Sequence, residues 1–301
     1  MPKRESASPP RRPAPQVRQT EPPPTVSARW LFTALAITLI GAAFCGYCAL
    51  ALLFYQGQWQ MLFHPSRAIT TTPAFAGLLF EEIHFDVTDA GNPRLDGWWI
   101  PASPGVSGGN GTILYLHGAG GDLSDCVPDL AALHQLGVNV FAFDYQGFGR
   151  SVGRHPTERL TTVDSVAAWT YLTDTRHIPA KNVVVLGDGV GSVFAAQLAA
   201  RFAPAGAILE DPAPTARQIF LSDARAQMLP LWLLQKEILD PAPAIARTHV
   251  PLLFLDRADD SSRAHELFAA APYPKQYFDL RSAPAPVVTA ALRRFLDEVL
   301  H

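Results

Sequence analysis

Residues 187–191 read Gly-Asp-Gly-Val-Gly, preceded by Val-Val-Val-Leu and followed by a helix-compatible run rich in Ala, Val, Phe, Gln and Leu. A strand, a sharp turn and a helix in that order expose the residue at the centre of the turn. A serine there, within G-x-S-x-G, is a nucleophile for acyl transfer. The central position here is Gly189, which has no side chain to attack with. Asp188 carries a carboxylate, but a turn centred on it would need small residues at 186 and 190, and the chain has Leu186 and Val190. Asp188 therefore reads as a turn residue. Ser192 falls on the first turn of the following helix, where a small residue permits close packing of helix on strand.

Three further loops carry groups that could serve the same chemistry. HGAGGD (117–122) follows an apolar strand, and a Gly-rich turn in that place leaves backbone N–H groups free to face a developing oxyanion. DYQGFGRS (144–151) is a second Gly-punctuated turn, and DRADDSS (256–262) is a carboxylate-bearing loop after PLLFL. Each is weak alone, because turns after strands are often rich in Gly and Asp for conformational reasons. Asp260 in the last of them also reads as a plain turn or helix-capping residue.

The elements that position these loops follow from hydrophobic patterning. Strand-like runs cover 82–87, 95–100, 112–116, 138–144, 182–186, 206–210, 251–255 and 276–280. The first two alternate, as an antiparallel edge pair would, and the rest are continuous apolar runs suited to strands buried on both faces. Helix-like segments lie at 127–136, 158–172, 190–202, 262–270 and 287–300. Buried strands alternating with helices predict an α/β fold, a mostly parallel sheet of about eight strands with helices on both sides. In such sheets a ligand crevice lies beyond the carboxyl ends of the strands, where all four loops fall.

In the order and spacing of these loops the chain resembles the α/β-hydrolase superfamily, and within it the small branch with one N-terminal membrane helix and no large lid. The resemblance runs from about residue 57 to the C-terminus and includes GQWQMLFHPSR (57–67) and LDGWWIP (95–101). It implies that His117, Gly118 and Ala119 form the oxyanion loop, together with the amide of Val190. It implies that 144–151 is a structural loop, that Gly189 occupies the nucleophile position, and that Asp260 is the acid of the triad. The triad histidine would fall within 281–284, which reads Arg-Ser-Ala-Pro. Two of three catalytic positions thus depart from the pattern. The remaining histidines, including His117, His134, His249, His265 and His301, are scattered without metal-type pairing.

Composition places the rest. The 301 residues carry a net charge of −3, which gives no electrostatic reason to expect nucleic-acid binding. Residues 1–29 are rich in Pro, Arg and Ser and read as a disordered tail. Residues 30–55 are uncharged, with aromatics at both ends, and suit a transmembrane helix, with 56–301 as the folded domain and 210–250 as a small cap segment within it. A cleaved signal peptide is the competing reading, against which stand the polar tail ahead and an apolar run beyond the usual h-region length. Lys3, Arg4, Arg11, Arg12, Arg18 and Arg29 precede the span and Arg67 is the first basic residue after it, so the N-terminus is expected in the cytoplasm and the domain on the opposite side, periplasmic in a bacterium. No P-loop, dinucleotide fingerprint or metal cluster is visible, and no cofactor or metal is expected.

Two functions remain open on this reading. One is a membrane-anchored α/β-hydrolase-fold protein without serine-hydrolase activity, a pseudoenzyme acting as a binding or scaffold module with a small apolar or acyl ligand in its cleft. The other is an active esterase- or amidase-like hydrolase using residues the sequence does not identify. The protein partner is unknown; SPPRRPAP (8–15) and EPPPTV (21–26) in the tail could be proline-rich ligands, though a plain flexible tail is the favoured reading.

Overall fold

The computed structural model describes residues 26–87, 91, 93–103, 111–257, 262–281 and 283–300. The chain divides into two compact units, Met1–Leu50 and Ala51–His301. The described part of the first unit is one helix, α1 (Ala28–Gly57), whose last turns belong to the second. Its side chains are almost entirely apolar and outward-facing, Phe32, Ile40 and Phe44 among them. The hydroxyls of Thr33 and Thr38 are satisfied within the helix by the carbonyls of Arg29 and Ala34, each at 2.8 Å. Between Arg29 and Gln56 the helix bonds the hydroxyls of Thr33 and Thr38 to its own backbone and otherwise exposes mostly apolar side chains, which suits a lipid environment. At ~1.5 Å per residue its 30 residues exceed the ~30 Å hydrocarbon layer. The same length and composition would also pass for a signal sequence.

The second unit is an eight-stranded sheet with helices on both faces. After α1 come α2 (Trp59–Leu62), β1 (His64–Pro65), β2 (Glu81–Val87), β3 (Pro93–Ile100), β4 (Thr112–Leu116), β5 (Gly120–Gly121), α3 (Val127–His134), β6 (Asn139–Asp144) and α4 (Glu158–Thr170). Then follow β7 (Val183–Asp188), α5 (Gly191–Phe202), β8 (Gly206–Glu210), four short helices α6 (Ala216–Leu221), α7 (Ala224–Gln227), α8 (Leu231–Leu234) and α9 (Ala242–Ile245), and finally β9 (Leu252–Asp256), α10 (Ser262–Ala270), β10 (Lys275–Asp279) and α11 (Ala285–Leu300). The sheet order is β10-β9-β8-β7-β4-β6-β3-β2. Only the β2–β3 and β3–β6 pairs are antiparallel.

The continuous apolar runs become the central strands because both faces are covered. Ile113, Tyr115, Val184, Leu186, Ile208 and Leu253 pack with α3 and α11 in one core, into which Phe295 inserts fully. Their alternate neighbours Leu114, Val185 and Leu209 point the other way and are equally buried. The first pair pairs antiparallel as its alternation indicates, with Glu82 opposite Trp98.

The differences from the sequence reading lie at ends and in short pieces. β7 runs to Asp188 because Gly187 and Asp188 still pair with Leu209 and Glu210. α11 begins at Ala285, since Pro286 lies in its first turn, where proline costs no hydrogen bond. The 210–250 segment holds the four short helices, broken by Pro230 and Pro241.

Candidate functional site

β7 and α5 meet in a turn whose backbone explains its three glycines. A Cβ on Gly187 would overlap the Gly191 carbonyl and the Ser192 amide, and one on Gly191 would overlap the Leu116 carbonyl oxygen at the end of β4. The flanks of the turn therefore accept no side chain. The centre is different. Gly189 has φ +53°, the left-handed region in which a nucleophile at such a turn is strained, and a Cβ there would meet only the Gly118 Cα, 3.8 Å away. The turn presents an empty position to the oxyanion loop. Its backbone is held by the Gly189 amide donating to the Glu210 carbonyl (2.9 Å) and by the Ala213 amide donating to the Gly189 carbonyl (3.3 Å).

Ser192 does not supply the missing hydroxyl. It is fully buried, and its Oγ donates to the Gly187 carbonyl at 2.8 Å with the Glu210 carbonyl at 3.2 Å. It fastens the helix to the strand beneath the turn. Asp188 lies beside the turn with Oδ2 next to Gly118, since a Cβ on that glycine would approach it to 3.1 Å. Burial raises the Asp188 carboxyl to about 6, with the Asp129 and Asp211 carboxylates adding and Arg257 opposing. Among the described interactions no imidazole or hydroxyl lies in hydrogen-bonding contact with Asp188.

In the loop 117–122, where the resemblance would place an oxyanion site, His117 is a buried prop. The His117 Nδ1 lies 2.8 Å from the Gly118 carbonyl, so it carries the proton and donates, and the Tyr145 hydroxyl donates to the His117 carbonyl at 3.0 Å. Tyr145 and Phe148 cover the ring. Burial drives the imidazole down to about 4, keeping it neutral. Its Nε2 has no hydrogen-bond partner and stands 3.8 Å from Asp144 Oδ1. An imidazole walled in by aromatics cannot exchange protons with a bound molecule. Val190, almost fully buried, opens α5 beside the empty position.

One support of the loop escaped sequence reasoning. β1 pairs in parallel with β5, the His64 amide donating to the Ala119 carbonyl at 2.7 Å and the Ser66 amide to the Gly121 carbonyl at 2.8 Å. The segment just after the apolar helix thus clamps the oxyanion loop. Only its presence in the resembling stretch 57–67 pointed to it. The 144–151 loop is structural as expected: the Ser151 hydroxyl donates to the Asp144 carbonyl (2.5 Å) and accepts from the Asp96 amide (3.0 Å).

The histidine position within 281–284 carries no imidazole. Asp260 lies outside the described residues. Just before it, Arg257 pairs with Glu210 and its amide donates to Asp211, while the Tyr277 hydroxyl donates to the buried Asp256 (2.6 Å). After β10, Leu280 is buried and Arg281 pairs with Asp279. His265 stacks on Tyr277, ring centroids 4.6 Å apart. A cavity of about 340 Å³ opens between the sheet and the helices α3 and α11, its walls including Tyr115, Leu133, Leu255 and Leu292 with Asp129 and Arg257. Among the described residues, no three His, Cys, Asp or Glu side chains group to hold a metal.

The sequence model of the family described as serine aminopeptidase S33 matches residues 109–260, which spans the oxyanion loop, the glycine turn and the acid loop. The chain belongs to this α/β-hydrolase family. An uncharacterized protein of Mycobacterium tuberculosis (strain CDC 1551 / Oshkosh) is 31% identical to this S33-family chain over 259 residues, covering 81% of it and 89% of the relative. The alpha/beta hydrolase domain-containing protein 17B of Homo sapiens is 32% identical over 139 residues, 46% of either chain. Among solved structures, an esterase of Pyrococcus furiosus superposes with a TM-score of 0.61 at 18% identity, covering 80% of this chain and 98% of that one. At that identity the likeness shows the α/β-hydrolase fold alone.

Proposed function

We propose that this S33-family chain is a membrane-anchored α/β-hydrolase-fold protein that has lost serine-hydrolase chemistry and works as a binding or scaffold module. The observation that carries this reading is the turn itself. It keeps both flanking glycines and the left-handed φ at Gly189, yet holds no side chain where a nucleophile would stand. The missing imidazole after β10 supports it independently. Losing the nucleophile removes the covalent intermediate, and losing the base removes a contribution of roughly 10²–10⁴ in rate. The anchor is residues 30–55, with the basic tail on the cytoplasmic side and the domain on the other, periplasmic in a bacterial inner membrane. A cavity with mostly apolar walls suits a small apolar or acyl ligand.

The test is hydrolysis of p-nitrophenyl butyrate by the purified full chain in detergent, beside its Asp260→Asn variant and buffer. Turnover at the level of buffer is expected for both proteins. Turnover abolished by Asp260→Asn would establish the alternative, an esterase- or amidase-like enzyme with a nucleophile elsewhere.

A further inference from the structure

The segment between β8 and β9 presents apolar side chains that its own fold leaves uncovered. Trp232 is 82% exposed, and Met228, Leu233 and Ile238 are each 60% exposed or more. These residues are not loosely placed. The buried Gln58 side chain accepts from the amides of Lys236 (2.8 Å) and Glu237 (3.4 Å) through Oε1, and donates to the Leu234 carbonyl (3.2 Å) through Nε2. Behind them the Glu158 carboxylate accepts from the amides of Ile238 (2.6 Å) and Leu239 (3.0 Å), while the Glu237 carboxylate accepts from the Glu158 amide at 2.7 Å. A rigid mount thus holds a tryptophan and three aliphatic side chains out into solvent.

The mount is fastened to the place where the long apolar helix ends. Gln58 follows α1 by one residue, and Phe54 in its last turns packs edge-on against Phe220 of α6 at 5.1 Å. The Lys236 ammonium stands 3.5 Å from the centroid of the Tyr55 ring. A tyrosine and a lysine in contact, with the exposed Trp232 on the same segment as the lysine, suit a membrane–water interface, where amphipathic side chains place an apolar body in lipid and a polar tip in water. The charges agree. Arg217 and Lys236 are exposed on this segment, Arg225 is paired with Asp223, and Glu237 is buried in its hydrogen bond. The exposed surplus is cationic and complements anionic headgroups.

We infer that the face formed by Met228, Trp232, Leu233 and Ile238 is a second membrane contact, seated in the anionic leaflet surface from which the apolar helix emerges. The inference rests on the anchored reading of residues 30–55. In that arrangement the chain meets the bilayer at two points, a spanning helix and an interfacial face.

The test reads lipid exposure at single sites in the full chain. Cys45→Ala, Cys48→Ala and Cys126→Ser remove the three native thiols. A fluorophore is then placed by Leu233→Cys, by Met228→Cys as a second site, and by Tyr273→Cys as a comparison before β10. The chains are reconstituted in phosphatidylcholine vesicles containing phosphatidylglycerol, with and without brominated acyl chains. The expected result is quenching by brominated lipid several-fold stronger at 228 and 233 than at 273, with iodide in the water quenching in the reverse order. Equal iodide quenching at all three sites, in a chain that carbonate does not extract, would overturn the membrane contact while leaving the anchor standing. Extraction by carbonate would overturn the anchor and the contact together.

Discussion

Gly191→Ala is expected to destabilise the fold by about 3 kcal/mol or more, the upper end of what overpacking a core costs. The added methyl would overlap the Leu116 carbonyl oxygen and lie 2.9 Å from that of His117, both strand-end backbone that cannot move without breaking the β4–β7 register. Gly189→Ala, two residues earlier, is expected to cost only ~1–2 kcal/mol, because a methyl there meets ordinary space and bears only the strain of a left-handed φ. Chemical denaturation of the two variants beside the wild type checks the order. A milder loss for Gly191→Ala than for Gly189→Ala would mean the turn is not packed as described. The contrast matters for function: the position with room for a nucleophile is the one that lacks it, and the positions with no room are still glycine. For the same reason Gly189→Ser should fold, and should remain inactive for want of an imidazole.

The second large effect is a loss of stability as pH rises toward about 8, expected from Asp144. Burial first, and Asp122 second, raise its carboxyl to about 8, while the Leu123 amide bonded to it pulls the other way. The folded state therefore holds a proton that the unfolded chain, with an ordinary carboxyl, releases near pH ~4. The stability this confers is complete below that pH and is lost as pH rises through about 8. His117, lowered to about 4, acts in the opposite sense, gaining stability up to the ordinary histidine range, and Asp164 and Asp188, raised to about 6, have finished titrating soon after. Between pH ~6.5 and ~8 the Asp144 contribution stands nearly alone and amounts to about 2 kcal/mol. Asp144→Asn keeps an oxygen to accept the Leu123 amide and cannot titrate, so its stability should be flat across that window while the wild type declines. Parallel pH profiles in the two proteins would place the titration elsewhere.

Much of this fold was legible because its strands are buried on both faces. Runs such as 112–116, which follows Gly111, and 206–210, which opens on Gly206, are largely apolar stretches, and they emerge as β4 and β8 at those limits. The glycine turn was legible for a stronger reason. Its spacing reflects backbone collisions that only glycine avoids, so the pattern survives when the central residue changes. What escaped depends on distant partners. The two-residue β1 contains a proline and has no periodicity to read, and its partner lies 56 positions onward. Gln58 looks like any surface glutamine until its amide is found bonded to residues 176–179 positions away. The short helices α6 to α9, each of four to six residues, are too brief for a helical repeat to show. His117 was legible as a loop residue, but its neutral, walled-in state follows from Tyr145 and Phe148 folding over it.

The most direct measurement is intact mass spectrometry of the full chain after incubation with a fluorophosphonate and, separately, with p-nitrophenyl butyrate. A turn with no side chain at Gly189 and a hydroxyl at Ser192 bonded beneath it should gain neither a phosphonyl nor a butyryl group. Unchanged mass in both samples is the predicted result. A stoichiometric adduct mapped to residues 187–192 would contradict it, and would show that the turn still carries a working nucleophile.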